Sequence, residues 1–308
     1  MKIYDNILDF VGSTPLIRVS RISSRLGLKC NLYVKYEGVN AGGSIKDRTA
    51  KTIIEEAEKR GELKEGATII EPTSGNTGIG IAMISAAKGY EAIIVMPDTM
   101  SPERARLMEA YGARVVRTDG ALGMKGAIDK ANELRAEIPG SYMLSQFENP
   151  DNALAHIKST GPEIYEDTDG QVDIVVGGIG TGGTLSGVGE YLKGVKPQVR
   201  IVGVEPESSP VITQGRSGKH GIQGIGAGFV PEVLNLGVVD EVVTVSDGDA
   251  VLHARMLARL EGILAGISSG AALYAGIREA MKEENAGKNI VVILPDSGER
   301  YLSLSIFE

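Results

Sequence analysis

The chain has 308 residues, 42% of them hydrophobic and 23% charged, with one cysteine and a formal net charge of −8. That length suits about two domains and a large core without covalent staples, and the lone Cys30 excludes an internal disulfide or a thiolate zinc cluster and fits a reducing cytoplasm. The acidic balance lacks the positive footprint of a nucleic-acid binder, no apolar run approaches the roughly 20 residues of a membrane span, and Met1–Phe10 has neither the basic start nor the apolar core of a signal peptide.

Along the chain, Asn40–Arg48 leads into an amphipathic helix over Thr49–Arg60, where Ala50, Ile53, Ile54 and Ala57 follow helical spacing. Ser44 and Asp47 have capping-box spacing, which puts Lys46 in the first helical turn. Thr68–Glu71 reads as a buried strand. The loop Pro72–Gly78 and a helix through Ile79–Ala87 follow it. Ala92–Met96 and Ala113–Arg117 are further strands; between them Ser101-Pro102-Glu103 starts a helix that Gly112 ends. Asn149-Pro150 opens another helix. Val172–Val176 is a strand that runs into the glycine loop Gly177–Thr184 and a helix. Arg200–Val204, Glu241–Val245 and Asn289–Leu294 are the remaining strands. Ser246–Asp249 reads as a capping box whose helix stops at Gly262. Glu207–Asn235 has neither period and carries six glycines, either a functional loop or a surface insertion. Short continuous apolar strands alternating with helices imply an α/β protein of two open, twisted, mostly parallel sheets with helices on both faces. The change of domain falls near Leu144–Asn149.

Two loops and one lysine stand out as chemistry. Gly177–Thr184 joins a strand to a helix N-terminus, where close-approaching backbone N–H groups and the hydroxyls of Thr181 and Thr184 suit a phosphate. Gly178, Gly180 and Gly183 also match the dinucleotide pattern, and Glu205 ends the next strand where a ribose-binding acid belongs; a nicotinamide dehydrogenase is the rival on that loop alone. The loop Thr73-Ser74-Gly75-Asn76-Thr77 sits at the C-terminal end of a parallel strand and suits a carboxylate, or is an N-capped turn. A lysine in a first helical turn meets the positive end of the helix, which favours its neutral, nucleophilic form, although by position alone a solvated surface lysine is the better reading.

Taken together, Gly12–Leu16, Gly43–Arg48, Thr73–Gly78, Gln146–Pro150, Gly180–Thr184, Gly224–Phe229, Gly266–Gly270 and Asp296–Tyr301 cover almost the whole chain in one order. This ordered set resembles the fold type II (tryptophan synthase β-like) pyridoxal phosphate enzymes, and within them the cysteine synthases, or O-acetylserine sulfhydrylases. The resemblance implies a smaller α/β domain over 35–146 and a larger one over 1–34 and 147–308, with pyridoxal 5'-phosphate in the cleft between them. It implies that Lys46 is the Schiff-base lysine and catalytic base. Asn76 would bond the cofactor's phenolic oxygen, Gly180, Thr181, Gly182, Gly183 and Thr184 its phosphate, and Ser268 its pyridine nitrogen. Thr73, Ser74, Gly75, Thr77 and Gln146 would grip the substrate carboxylate. The implied reaction is β-replacement, from O-acetyl-L-serine and sulfide to L-cysteine through an aminoacrylate, in a cytoplasmic homodimer able to bind the C-terminal tail of serine acetyltransferase. No metal is implied.

The pattern departs at Asn40-Ala41-Gly42-Gly43-Ser44, where many cysteine synthases carry proline after the asparagine. That stretch also resembles cystathionine β-synthases, and O-phosphoserine is an alternative donor. His156 and His253 read as helix-surface or partly buried residues, His220 as a residue that could border the pocket, and Cys30 as a small buried hydrophobe.

Overall fold

The computed structural model describes residues 3–100 and 102–308; Ser101, read from sequence as a helix cap, lies outside them. Contacts divide the chain into two units, one of Met1–Val11 with Asn40–Asp151 and one of Gly12–Val39 with Asn152–Glu308. Residues 1–11 cluster with the smaller unit, separately from 12–39, because Leu8 is buried in that unit's core and its carbonyl accepts from Lys51 Nζ at 3.0 Å.

Ten strands form two sheets: β1 (Leu16–Arg18), β2 (Asn31–Tyr36), β3 (Thr68–Pro72), β4 (Glu91–Pro97), β5 (Arg114–Thr118), β6 (Tyr142–Met143), β7 (Val172–Gly178), β8 (Arg200–Pro206), β9 (Glu241–Val245) and β10 (Asn289–Leu294). The smaller unit holds the order β5-β4-β3-β6, all parallel. The larger holds β1-β2-β10-β7-β8-β9, parallel except for the antiparallel β1–β2 pair.

The inner strands β3, β4, β7, β8 and β10 are covered on both faces, the reason they read as apolar runs. In the smaller unit Ile69 and Ile94 point to one core, shared with Ile53 and Ile54 of the helix Lys46–Arg60 and Ile81 of the helix Asn76–Lys88. Their chain neighbours Ile70, Ile93 and Val95 point the other way, onto Ala127, Ala131 and Leu134 of the helix Gly123–Glu137. In the larger unit Ile174, Val176, Val202, Val204, Val292 and Leu294 face a single core with Ala271 and Ala275 of the helix Ile267–Ala280. Among the described residues no helix is long and apolar enough to cross a membrane.

All seven strands expected from sequence form. One helix start differs in detail. Ser44 and Asp47 do not make the reciprocal box: Ser44 Oγ accepts from Lys46 N at 3.2 Å, and Asp47 Oδ2 reaches back to Gly42 N at 2.7 Å. The helix consequently begins at Lys46, three residues earlier than its apolar spacing indicates. Ser246 does cap its helix, accepting from Asp249 N at 3.1 Å.

Candidate active site

Lys46 is the first residue of its helix, capped by no side chain. Desolvation lowers its pKa from 10.5 to about 8, although part of the side chain still reaches solvent. Among the described residues its ammonium has no hydrogen-bond or ion-pair partner, so nothing restores the charged form. The helix packs against Asn76–Lys88 at Gly80, where a methyl group would sit 3.3 Å from the Lys46 carbonyl and 3.2 Å from Asp47 Oδ1. This close crossing ties the lysine to the helix that begins with the Thr73–Thr77 loop.

That loop leaves β3 at Pro72, and Thr73 N is held by the Val95 carbonyl at 3.0 Å. Thr73 Oγ1 accepts from Gly75 N at 3.2 Å, which folds the loop over. Asn76 and Thr77 open the helix, where a first-turn N–H has no acceptor one full turn back; Gly78 N already bonds the Gly75 carbonyl at 3.1 Å. Thr77 Oγ1 donates to Gln146 Oε1 at 2.6 Å, both side chains buried, so two residues 69 positions apart are brought together. Ser74 turns its carbonyl to Arg104 Nη1 at 3.5 Å.

Sequence reasoning missed Glu71. It is buried on β3 and accepts from the backbone N–H of Ser145 at 3.1 Å and Gln146 at 3.4 Å. Burial pushes its pKa up to about 7, against the opposing pull of those N–H groups and that of Leu144. Ser145 is left-handed, with φ 52°, a conformation uncommon for a side-chain-bearing residue. Glu71 therefore clasps the turn that carries Gln146.

In the larger unit the loop Ile179–Gly182 joins β7 to the helix Gly183–Val195. Gly182 is left-handed at φ 84°, and an added Cβ at Gly180 would overlap the Gly224 carbonyl. The irregular stretch after Glu207 is thus packed onto the glycine loop: Gly226 N donates to Ile179 O at 2.9 Å, and His220 Nε2 bonds Gly226 O at 3.0 Å. Gly224 also lies beside Ser268, its Cβ position 3.7 Å from the serine Oγ. Ser268 is buried near the start of its helix, and among the described residues its hydroxyl makes no hydrogen bond. Glu205, the ribose-binding acid of the dinucleotide reading, is already taken. It accepts from Ile212 N at 2.8 Å, from Thr213 N at 3.0 Å and from the Thr213 hydroxyl.

His156 differs from its sequence reading: it is fully buried, and its ring lies between Thr160 and Thr184. Its charge-neutral helix segment gave no signal of burial, because the partner arrives only when the chain folds.

These donor sets fit pyridoxal phosphate. Backbone N–H groups without helical acceptors and a glycine-lined cradle suit its phosphate, an idle buried hydroxyl suits a ring nitrogen, and an unpartnered amine suits its aldehyde. The model of the pyridoxal-phosphate dependent enzymes matches residues 7–296. Over 307 residues, covering 99% of this chain and 98% of the relative, the sequence is 50% identical to a cysteine synthase of Staphylococcus aureus (strain N315). The crystal structure of a cysteine synthase from Entamoeba histolytica superposes with a TM-score of 0.97 at 47% identity, covering 99% of this chain and 91% of that one. A hydrogen sulfide-producing enzyme from Fusobacterium nucleatum follows with a TM-score of 0.92 at 44% identity, covering 97% and 100%. The chain belongs to the pyridoxal-phosphate dependent enzyme family.

Proposed function

We propose that this protein makes L-cysteine by β-replacement. It exchanges the acetoxy group of O-acetyl-L-serine for sulfide and releases acetate, with pyridoxal 5'-phosphate as cofactor. The observation that carries this reading is the unpartnered Lys46 amine with its pKa near 8, in a chain 50% identical to a cysteine synthase.

When bound, the cofactor supplies an electron sink for the substrate's α-carbon. Lys46 holds the cofactor and exchanges the substrate's α-proton at Nζ. A pKa near 8 keeps both amine and ammonium available close to neutral pH, as a base that must also return its proton requires. Thr73, Ser74, Gly75, Thr77 and Gln146 hold the substrate carboxylate with hydroxyls, an amide and the first-turn N–H groups of the helix Asn76–Lys88. Asn76 takes the cofactor's phenolic oxygen, and Gly180, Thr181, Gly182, Gly183 and Thr184 its phosphate. Ser268 faces the ring nitrogen. A neutral hydroxyl there leaves the ring a modest sink, enough for elimination because the leaving group carries away the electron pair. The protein works in the cytoplasm as a homodimer, and the C-terminal tail of serine acetyltransferase is its expected protein partner; light scattering, alone and with that peptide, checks both.

The test is the visible spectrum of the purified protein. The bound-cofactor band should move on adding O-acetylserine and return on adding sulfide, with one cysteine formed per donor consumed. A protein that ignores O-acetylserine and answers to O-phosphoserine or serine would change the donor. One that stays colourless with added pyridoxal phosphate would remove the reading altogether.

A further inference from the structure

The hydroxyls of Thr181 and Thr184 serve a phosphate only if their own protons point to it. A hydroxyl has one proton to give, and a neighbouring acceptor would claim it. Both oxygens are met by polar side chains from the buried segment that precedes the larger sheet's central strand. Asn152 Nδ2 lies 3.0 Å from Thr181 Oγ1, and His156 Nε2 lies 3.2 Å from Thr184 Oγ1. Asn152 and His156 are both fully buried, and they stand four residues apart, on one helical face. The Asn152 carbonyl oxygen is directed at Gly183 instead, so closely that a methyl group there would overlap it. Gly187, one turn further on, would likewise overlap the Ala153 carbonyl. The cup helix therefore lies against Asn152, Ala153 and His156 through a glycine face, an approach no larger residue permits.

We propose that Asn152 and His156 are positioning residues of the phosphate cup, each donating to a threonine hydroxyl so that its proton stays free for a phosphate oxygen. This rests on the reading of Gly180–Thr184 as the phosphate site. The amide does so through Nδ2. The imidazole does so in the tautomer that carries its proton on Nε2, in which the Thr160 hydroxyl donates to Nδ1. Thr160 Oγ1 lies 2.9 Å from His156 Nδ1, within reach to donate to that nitrogen in this tautomer. The chain of donors then runs Thr160 to His156 to Thr184 to the anion. The opposite tautomer would draw the Thr184 proton away and leave a lone pair facing a phosphate. His156–Thr160 is a π-helical turn, a rare widening found often at functional sites.

The experiment measures binding of pyridoxal phosphate, and of pyridoxal without its phosphate, to the full chain stripped of cofactor. Unfolding of each variant is followed by circular dichroism. His156→Leu and Asn152→Ala should each weaken pyridoxal phosphate by about tenfold, the effect of one hydrogen bond to a charged group, and leave pyridoxal unchanged. His156→Gln, which restores a donor near the Nε2 position, should recover most of the loss. Thr160→Val conserves shape and stays informative if His156→Leu fails to fold; it should cost about threefold, again for the phosphorylated ligand alone. Wild-type affinity in Thr160→Val and Asn152→Ala, or an equal loss for both ligands, overturns the relay. A wild-type protein that binds pyridoxal as tightly as pyridoxal phosphate overturns the cup itself and the relay with it.

Discussion

In the proposed reaction the chemistry turns on Lys46, and its environment makes its protonation state measurable. The folded-state pKa near 8 lies below the ordinary 10.5, so between these values the folded chain binds fewer protons than the unfolded one. Stability of the cofactor-free protein should therefore rise as pH climbs from 8 to 10.5 and be lowest below 8. Lys46→Met removes the penalty: it should raise the unfolding midpoint at pH 7, by a margin that vanishes near pH 10.5, while abolishing covalent cofactor and turnover. The rate at which the wild-type apoprotein captures pyridoxal phosphate should level off just above pH 8 rather than above 10.5. A plateau at the higher pH would mean the ammonium is not desolvated. Thr77 allows a second test. Its 2.6 Å bond to Gln146 joins the Thr73–Thr77 loop to the turn after β6. Thr77→Val should raise KM for O-acetylserine about tenfold with a smaller change in kcat, since a lost buried hydrogen bond of substrate binding is worth about 1 to 1.5 kcal/mol.

At the scale of elements, the same physics decides what the amino-acid sequence reveals. Strands β3, β4, β7, β8 and β10 are legible because both their faces are buried under apolar runs, whereas the edge strands β5 and β9 are only partly buried and show through their valine pairs. β2 is not legible, since Lys35 and two tyrosines interrupt Asn31–Tyr36, and Lys35 is buried only because carboxylates come to meet it. β6 is a two-residue pairing with no pattern to read. The candidate site divides in the same way. Its loops are legible as glycine- and hydroxyl-rich segments at strand ends, whereas Glu71, Asn152 and His156 act through contacts that exist only after folding. Glu71 shows the consequence. Replacing it by Gln leaves the N–H groups of Ser145 and Gln146 one shared acceptor oxygen in place of two, at a turn already holding a left-handed serine. KM for O-acetylserine should rise several-fold in Glu71→Gln, a loss of about 1 kcal/mol. The substitution also removes a titration. A carboxyl with a folded pKa near 7, above its ordinary 4.5, makes the wild type lose stability as pH rises between those values. The variant should lack that slope, and an unchanged slope would assign the titration to another group.

For the whole molecule, the ion pairs of Lys35 join parts of the larger unit far apart in the chain. This lysine is fully buried on β2. Its Nζ donates to the Thr14 carbonyl at 2.6 Å and pairs with Asp167 at 2.8 Å and Glu163 at 2.9 Å. Glu163 in turn accepts from Ser13 N at 2.9 Å and Thr14 N at 3.3 Å, and the buried Glu37 accepts from Thr14 Oγ1 at 2.6 Å. The segment Gly12–Pro15, where chain contacts pass from one unit to the other, is thus pinned by residues some 150 positions away. Removing one partner of such a cluster strands the rest, which costs about 3 to 5 kcal/mol for a fully buried pair. Because Glu163 and Asp167 keep part of their surface in water, the lower end of that range applies. Lys35→Met, which keeps the volume and loses the charge, should lower the unfolding midpoint by roughly ten degrees, at about 2 to 4 °C per kcal/mol for a unit of this size. Cofactor affinity at 25 °C should stay within about twofold, because none of these residues touches the glycine cup. Lys35→Met combined with Glu163→Gln should recover part of the loss, since the double variant leaves one fewer unpaired carboxylate. If the single variant melts with the wild type, the cluster adds no net stability and serves only to fix the path of Gly12–Pro15.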